Sequence, residues 1–300
     1  MPTWFRAAVA FAPIVLSTVV HVIPLFAVTL FKALLPFAAV RRACNSLLTG
    51  IAESWIAFNS RMIDLCTHTR FVVTGRADLH RDGHYLVLAN HQSWVDIPVL
   101  QKIFNRRIPL LRFFLKSQLF WVPLMGIAWW ALDFPFMKRY TREQIARRPE
   151  LAGRDIEATR RACAKFRSIP VSVMNFVEGT RFTAAKHAAQ GSPYAHLLKP
   201  KSGGVAFVID AMGDGLQAIL DVTIAYPDGK PTMLDLFGGR IREVRIDVRE
   251  RPIPREFVGG DYQNDAVFRE RFQAWMNALW QDKDARLSGM LAGEWSKPET

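Results

Sequence analysis

Acidic residues are missing from the first 52 positions of this 300-residue chain, and Glu53 is the first to appear. Within that stretch, residues 7–31 carry no charged side chain at all. Cysteine is scarce: Cys44, Cys66 and Cys163 lie far apart and form no CxxC pair. That spacing excludes a disulfide framework and a cysteine-based zinc module, and it suits a reducing, cytosol-facing catalytic domain. No Gly-x-Ser-x-Gly turn occurs, which removes the nucleophile elbow of serine hydrolases. There is no internal repeat and no low-complexity tract, so solenoid and linker architectures are excluded. Acidic side chains are outnumbered overall, 27 against 39 Lys and Arg, giving a net charge of +12. Such a surface attracts polyanions: anionic lipid, nucleic acid, phosphorylated substrates or an acidic carrier protein.

What is present begins with apolar bulk. Half of the residues are hydrophobic, and the 9 Trp and 21 Phe are of the kind that gather where protein meets membrane. As a helix, residues 7–31 would measure about 38 Å, longer than the roughly 30 Å hydrocarbon core. Arg6 stands before the run, and Lys32, Arg41 and Arg42 follow it. The pattern predicts a membrane anchor over residues 1–43, with the basic carboxyl side facing the cytoplasm. Pro13 and Pro24 leave two forms open, a single span or a bent hairpin seated in one leaflet.

Beyond the anchor, residues 44–300 alternate between strand-like and helix-like segments, which predicts one α/β layer domain. Residues 44–66 repeat Leu and Ile at three- and four-residue steps and predict an amphipathic helix. Strands are expected at 71–74, 85–89, 108–114, 171–177 and 218–225. A further one at 241–249 alternates Ile and Val with charges, the pattern of an exposed edge. Helices are expected at 96–104, across the basic stretch 141–167, and at 265–287, where Phe268, Phe272, Met276, Leu279 and Trp280 share a face predicted to dock on the domain. Residues 121–126 read as a helix start or a loop, very apolar for something near a surface.

Two short motifs carry chemistry. Asn90-His91-Gln92-Ser93-Trp94-Val95-Asp96 directly follows the apolar run at 85–89. On a continuous helix His91 and Asp96 would point about 140° apart. They meet if His91 sits on the turn leaving a strand and Asp96 opens the next helix, and Pro98 suits that first turn. A carboxylate can then fix the imidazole tautomer and stabilise its cation while the ring takes a proton from a hydroxyl. The spacing alone is weak evidence. The second motif, Phe176-Val-Glu-Gly-Thr-Arg181, ends another predicted strand. Gly179 allows a tight turn whose N–H groups can face an anion, Thr180 adds a donor, and Arg181 supplies a fork that matches phosphate. Ligands of open α/β sheets gather outside the carboxyl ends of strands, so both motifs would face one pocket.

These two blocks, in this order and at about this distance, resemble the glycerolipid acyltransferases typified by bacterial 1-acylglycerol-3-phosphate acyltransferase. Gly126 to Phe136-Met137-Lys138-Arg139 occupies the place of the family's second block, and Lys116 sits where the family has a substrate-facing lysine. The second block is longer than the family's common form, and the fourth, residues 219–227, has its proline only at the end. The resemblance implies an α/β fold with a single-layer mixed sheet flanked by helices, preceded by an N-terminal membrane helix or helical hairpin. It implies transfer of a fatty acyl group from acyl-CoA or acyl carrier protein to a lysophospholipid hydroxyl, most simply the sn-2 hydroxyl of 1-acylglycerol-3-phosphate. His91 would be the general base and Asp96 its orienting carboxylate. Lys116, Arg139, Glu178, Gly179, Thr180 and Arg181 would form the substrate-binding set, with Glu178 either binding the acceptor or bracing the loop. Neither a metal nor a cofactor is expected, because a thiolate leaves readily. Membrane lipids are expected partners, nucleic acid is not, and the implied location is a bacterial inner membrane with the catalytic domain in the cytoplasm.

Three other features have milder readings. His80 and His84 with Asp78 and Asp82 suit a solvated connector better than a metal site, which would need a supporting shell. Residues 199–204, Lys-Pro-Lys-Ser-Gly-Gly, suit either a phosphate contact or a helix-entry turn. The basic stretch 141–167 suits a solvated face or a surface for anionic headgroups or carrier protein. Two rival functions remain at this point: a non-catalytic binder of anionic lipid or nucleic acid, and a thioesterase that uses water as acceptor.

Overall fold

The structure, a computed structural model, describes residues 3–35, 37–75, 78–137, 147–148, 163, 166 and 169–294. Two long helices come first. α1 (Thr3–Leu34) carries Pro13 and Pro24 inside it, and α2 (Ala38–Cys66) starts six residues before the predicted amphipathic helix. With three residues between them they form a helical hairpin, tied by Trp55 Nε1 donating to Thr18 Oγ1 at 3.0 Å. α2 is no second span. Its Glu53 is buried and paired with Arg81 at 2.7 Å and Arg106 at 3.6 Å.

β1 (Arg70–Thr74), β2 (His84–Ala89), β3 (Leu111–Phe113), β6 (Val171–Phe176), β7 (Ala218–Ala225) and β8 (Glu243–Arg251) form one sheet in the order β1-β8-β7-β2-β6-β3. All neighbours are parallel except β7 and β8, so the sheet is mixed. β4 (Leu115–Lys116) and β5 (Phe136–Met137) make a separate small ladder. α3 (Asp96–Phe104), α4 (Met125–Ala131), α5 (Ala184–Gln190), α6 (Gly203–Met212), α7 (Met233–Phe237) and α8 (Ala266–Ala292) complete the described elements with short 3₁₀ turns between.

β2 shows why the sheet is buried on both faces. Tyr85, Val87 and Ala89 enter one apolar cluster with α3 and the amino end of α1, whereas Leu86 and Leu88 enter another with α6 and α8. Successive side chains leave a strand on opposite sides, so a uniformly apolar strand needs cover above and below. The single-layer mixed sheet flanked by helices is therefore as expected.

One expectation fails. β8 is interior, between β1 and β7, and the edges are β1 and β3. Its charges are matched by partners instead of by water. Asp247 accepts from Arg249 at 2.9 Å and from Arg286 of α8 at 3.2 Å. Asp221 on β7 binds Lys283 at 2.5 Å and Arg286 at 2.6 Å. Lys283, wholly buried, also donates to the carbonyl of Val222 at 2.6 Å. Paired charges under a helix can mimic the alternation of a solvent-facing strand.

Candidate active site

The site stands at the carboxyl ends of β2 and β6, which are direct neighbours in parallel register. The chain leaves β2 at Asn90, whose amide is locked to β7: Nδ2 donates to the Ile224 carbonyl and Oδ1 accepts from the Ile224 N–H, both at 2.9 Å. His91 follows on the turn, and Asp96 opens α3. The geometry anticipated from the five-residue spacing is the one formed. His91 Nδ1 lies 2.8 Å from Asp96 Oδ2, and Asp96 is fully buried.

Asp96 gathers three other donors. The backbone N–H groups of Gln92 and Ser93 reach Oδ2 at 2.7 and 2.9 Å, and the Tyr226 hydroxyl donates to Oδ1 at 2.6 Å. Burial and the adjoining Asp96 charge hold the Tyr226 phenol well above its ordinary value, so it stays a donor. A carboxylate serving four donors fixes Nδ1 of His91 as the protonated nitrogen. Nε2 then carries the lone pair, and it takes no hydrogen bond among the described residues. Phe176, the last residue of β6, stacks on the imidazole with centroids 3.9 Å apart and planes 13° apart. The ring is held in both tilt and rotation, as a general base requires.

The second motif is bonded to the first. The Phe182 N–H donates to the His91 carbonyl at 2.8 Å, and the His91 N–H donates to Glu178 Oε1 at 2.8 Å. Glu178 Oε2 accepts from the Leu198 N–H at 3.0 Å. Glu178 is fully buried, so it braces two loops from beneath and offers no oxygen to a ligand. Burial pushes its carboxyl up to about 7, with the Asp96 charge adding to the rise and the two amides and Lys283 opposing it.

That shift predicts a pH-dependent stability. The folded state holds the Glu178 proton more tightly than the unfolded chain. The contribution is therefore greatest below the unfolded value near pH 4.5 and is lost as pH rises towards 7. Between pH 5 and pH 8 the unfolding free energy of the wild type should fall by about 2–3 kcal/mol relative to Glu178→Gln. A difference between the two proteins that stays constant with pH, measured by urea unfolding, would contradict this.

Gly179 has φ +67°, a conformation that glycine adopts without strain. Its N–H is occupied, donating to the Phe176 carbonyl at 2.8 Å, so the expectation that it faces an anion is corrected. The amides of Thr180 and Arg181 have no partner among the described residues and are the ones an anion can meet. Arg181 is exposed, its guanidinium 4.6 Å above the ring of Trp94 from the first motif. Stacking on an aromatic face leaves the edge donors of a guanidinium open to phosphate.

Further cations reach the loop from other segments. Lys186 donates to Thr180 Oγ1 at 2.7 Å and to the Arg181 carbonyl at 3.1 Å. Lys230 lies 3.3 Å from the Phe182 ring centre. The Lys201 side chain crosses Gly179 so closely that an added Cβ there would meet its Cδ at 3.0 Å. Residues 199–204 are thus a helix-entry turn leading into α6 that also brings a lysine to the loop.

Lys116 is exposed on β4, three residues beyond Phe113, whose ring lies 6.1 Å from that of Phe176. The structure gives it no hydrogen bond to the paired motifs. Arg139 and most of the basic stretch 141–167 lie outside the described residues. Tyr226, Phe176, Trp94, Lys186, Lys201 and Lys230 were not singled out from sequence as site residues. Tyr226 is 130 positions from Asp96, and nothing local marks such a pairing. His80 Nε2 pairs with Asp78 at 3.2 Å on an exposed connector. Among the described residues no three His, Cys, Asp or Glu side chains converge as a metal site would need.

Comparison with known proteins places the chain in a family. Residues 70–227, just over half of the chain, match the family model described as Acyltransferase. Over 248 residues the chain is 29% identical to 1-acyl-sn-glycerol-3-phosphate acyltransferase gamma of Homo sapiens, covering 75% of this chain and 60% of that protein. Over 257 residues it is 24% identical to lysocardiolipin acyltransferase 1 of Gallus gallus, covering 81% of this chain and 63% of that protein. The chain thus spans about 60% of the length of these curated relatives. In fold it is similar to the crystal structure of the 1-acyl-sn-glycerophosphate (LPA) acyltransferase of Thermotoga maritima. The TM-score is 0.58 at 15% sequence identity, over 99% of this chain and 100% of that one.

Proposed function

The chain belongs to the acyltransferase family, and from that premise we propose that it moves a fatty acyl group from a thioester to a lysophospholipid hydroxyl. The observation that carries the reading is the His91–Asp96 pair bonded, backbone to backbone, to the loop that holds Arg181. His91 Nε2 takes the proton of the acceptor hydroxyl as its oxygen attacks the thioester carbonyl. The C–S bond then breaks and the thiolate departs, taking up a proton. No acyl-enzyme is required. The acceptor phosphate sits at Arg181, Thr180 and the two unpaired amides. Acyl-CoA or acyl carrier protein is the donor, and 1-acylglycerol-3-phosphate is the simplest acceptor for a loop this cationic.

The test is a labelled thioester donor offered with and without lysophosphatidate. Label should enter phospholipid only when the acceptor is present. Release of free fatty acid at one rate in both cases would make the protein a thioesterase. Replacing Arg181 with Ala should raise KM for lysophosphatidate about tenfold to a hundredfold, the weight of a charge-assisted pair of about 1.5–3 kcal/mol. An unchanged KM would remove Arg181 from the acceptor site.

A cavity of about 60 Å³ lies among α1, α2 and α4, lined mostly by apolar side chains including Val22, Leu25, Trp55, Met125, Ala128 and Leu132. A row of rings leads from His91 towards it: Phe176, then Phe113 at 6.1 Å, then Phe134, a lining residue, at 6.5 Å. We assign this cavity to the distal carbons of an acyl chain, whose whole length it is too small to hold. Ala128→Leu should move the preferred donor to a chain at least two carbons shorter in a C12–C18 series, and an unaltered profile would refute the assignment.

The anchor reading also takes a definite form. Ala7, Ala10 and Ile14 of α1 pack into the core beside Phe237, and Leu25 packs with Leu48 and Ala128. Those contacts are separated by about 27 Å along the helix, yet both belong to the folded domain. A helix held at both ends by one domain lies along the membrane surface, its exposed Val9, Leu16, Val20 and Ile23 entering one leaflet. The location in a bacterial inner membrane, facing the cytoplasm, belongs to the same proposal.

A further inference from the structure

Residues 117–132 contain no charged side chain, and most of their large apolar groups face outward. Trp121 is 81% exposed and Trp130 56%, and Phe120, Val122, Leu124 and Ile127 are exposed beside them. An apolar patch of this kind on an ordered surface marks a contact with something other than water.

The protrusion is built to stay in place. A 3₁₀ turn (Ser117–Trp121) hands over to α4, and Gly126 sits so close beneath it that an added Cβ would lie 1.8 Å from the Phe120 carbonyl oxygen. Leu124, at the entry to α4, has φ +64°, a strained conformation for a side chain of its kind. Phe120 is wedged edge-on against Trp121 and against Phe136, both at 5.6 Å. The inner face of α4, Ala128 and Ala131, is packed with Leu25 of α1 and with Leu48 and Ala52 of α2. Backbone strain and tight packing thus hold indoles outward, where folding alone would have turned them in.

We propose that residues 117–130 are a second membrane-insertion element, which enters the headgroup–acyl boundary beside α1. Three observations favour a bilayer over a protein as the occupant. The patch adjoins α1, on which α4 packs and which itself exposes apolar side chains such as Leu16 and Ile23. Its tip is rich in Trp, the residue that prefers the membrane–water boundary. Its borders are charged, with exposed Lys116 before it and Asp133 after it, the latter paired with Lys32 at the carboxyl end of α1 at 3.7 Å. Two insertion points, one a long helix and one a compact wedge, fix the tilt of the domain on the membrane. The mouth of the site would then meet a lipid acceptor without the acceptor leaving the bilayer. This step rests on the acyl-transfer reading only for its purpose, since the insertion itself is a physical property of the surface.

The experiment places an environment-sensitive fluorophore (NBD) on Trp121→Cys in the full-length chain carrying Cys66→Ser. Vesicles are 3:1 phosphatidylcholine to phosphatidylglycerol, and Glu270→Cys on α8 serves as the distant control. Emission at 121 should move to the blue on vesicle addition. Nitroxide at acyl carbon 5 should quench it more than nitroxide at carbon 12, and the label at 270 should respond to neither. In parallel, Trp121→Ser with Trp130→Ser should lower transfer to vesicle-borne lysophosphatidate at least fivefold. Transfer to a short-chain acceptor below its micelle concentration should stay within twofold. A label at 121 that keeps its water-like emission, or that is shielded by self-association in the absence of lipid, would overturn the proposal. Absence of transfer to either acceptor in the wild type would instead overturn the acyl-transfer reading and leave the insertion result standing.

Discussion

His91→Ala should lower kcat for acyl transfer by about 10²–10⁴-fold, the range that a positioned general base contributes, with KM for the acceptor nearly unchanged. Truncation removes Nε2 and leaves the loop intact, because the two backbone bonds of residue 91, to Glu178 and from Phe182, do not involve the ring. Phe176 loses its stacking partner, a contact worth about 0.5–1.5 kcal/mol, so the variant should still fold and bind. A steady-state comparison with purified protein checks this. Loss of transfer accompanied by a collapsed thermal unfolding transition would make His91 a structural residue.

Asp96→Asn should be nearly as damaging, and for a different reason. Asp96 accepts from four donors. An amide can accept only through its oxygen, so its NH₂ group must face at least one of those donors. In the place of Oδ2 it faces the imidazole and the Gln92 and Ser93 amides together: the buried amides are left unpaired, at a cost of about 1–3 kcal/mol, and Nδ1 must become the acceptor with Nε2 carrying the proton, the wrong tautomer for a base. In the place of Oδ1 it meets the Tyr226 hydroxyl, which must turn to accept, and a neutral amide no longer stabilises the imidazolium. Either way kcat should fall by about 10²–10⁴-fold. Tyr226→Phe removes one donor without disturbing the tautomer, so its loss should be much smaller. Equal losses in Asp96→Asn and Tyr226→Phe would show that the hydroxyl, and not the carboxylate, orients the ring.

Much of this site was legible in the sequence because its geometry is local. A step of five residues from His91 to Asp96 does not return to one helix face, and a uniformly apolar run preceded them. Strand, turn and helix entry were then the arrangement in which the pair could meet. The same holds for Arg181, which follows a strand neighbouring β2 in the sheet. What stayed hidden depends on long-range register. Tyr226 reaches Asp96 only because β7 lies beside β2 and runs three residues past its end. Asn90 fastens the site to Ile224 for the same reason.

Two expectations failed on chemistry that a linear pattern does not encode. The charges of β8 read as solvent exposure, yet Arg286 arrives from α8 to pair with Asp247, which Arg249 also meets. Gly179 belongs to a turn that suggests an N–H free for an anion, but that N–H is committed to the Phe176 carbonyl. Residues 121–126 looked out of place for a surface, and the fold leaves them on the surface with their rings turned outward.

The proton-transfer claim is tested most directly by the position of a bound acceptor. Crystals of the wild-type protein grown with lysophosphatidate and no donor should place the free glycerol hydroxyl within about 3.2 Å of His91 Nε2. Its phosphate should lie against Arg181 and the amides of Thr180 and Arg181. A phosphate bound elsewhere, or a hydroxyl directed away from His91, would contradict the mechanism.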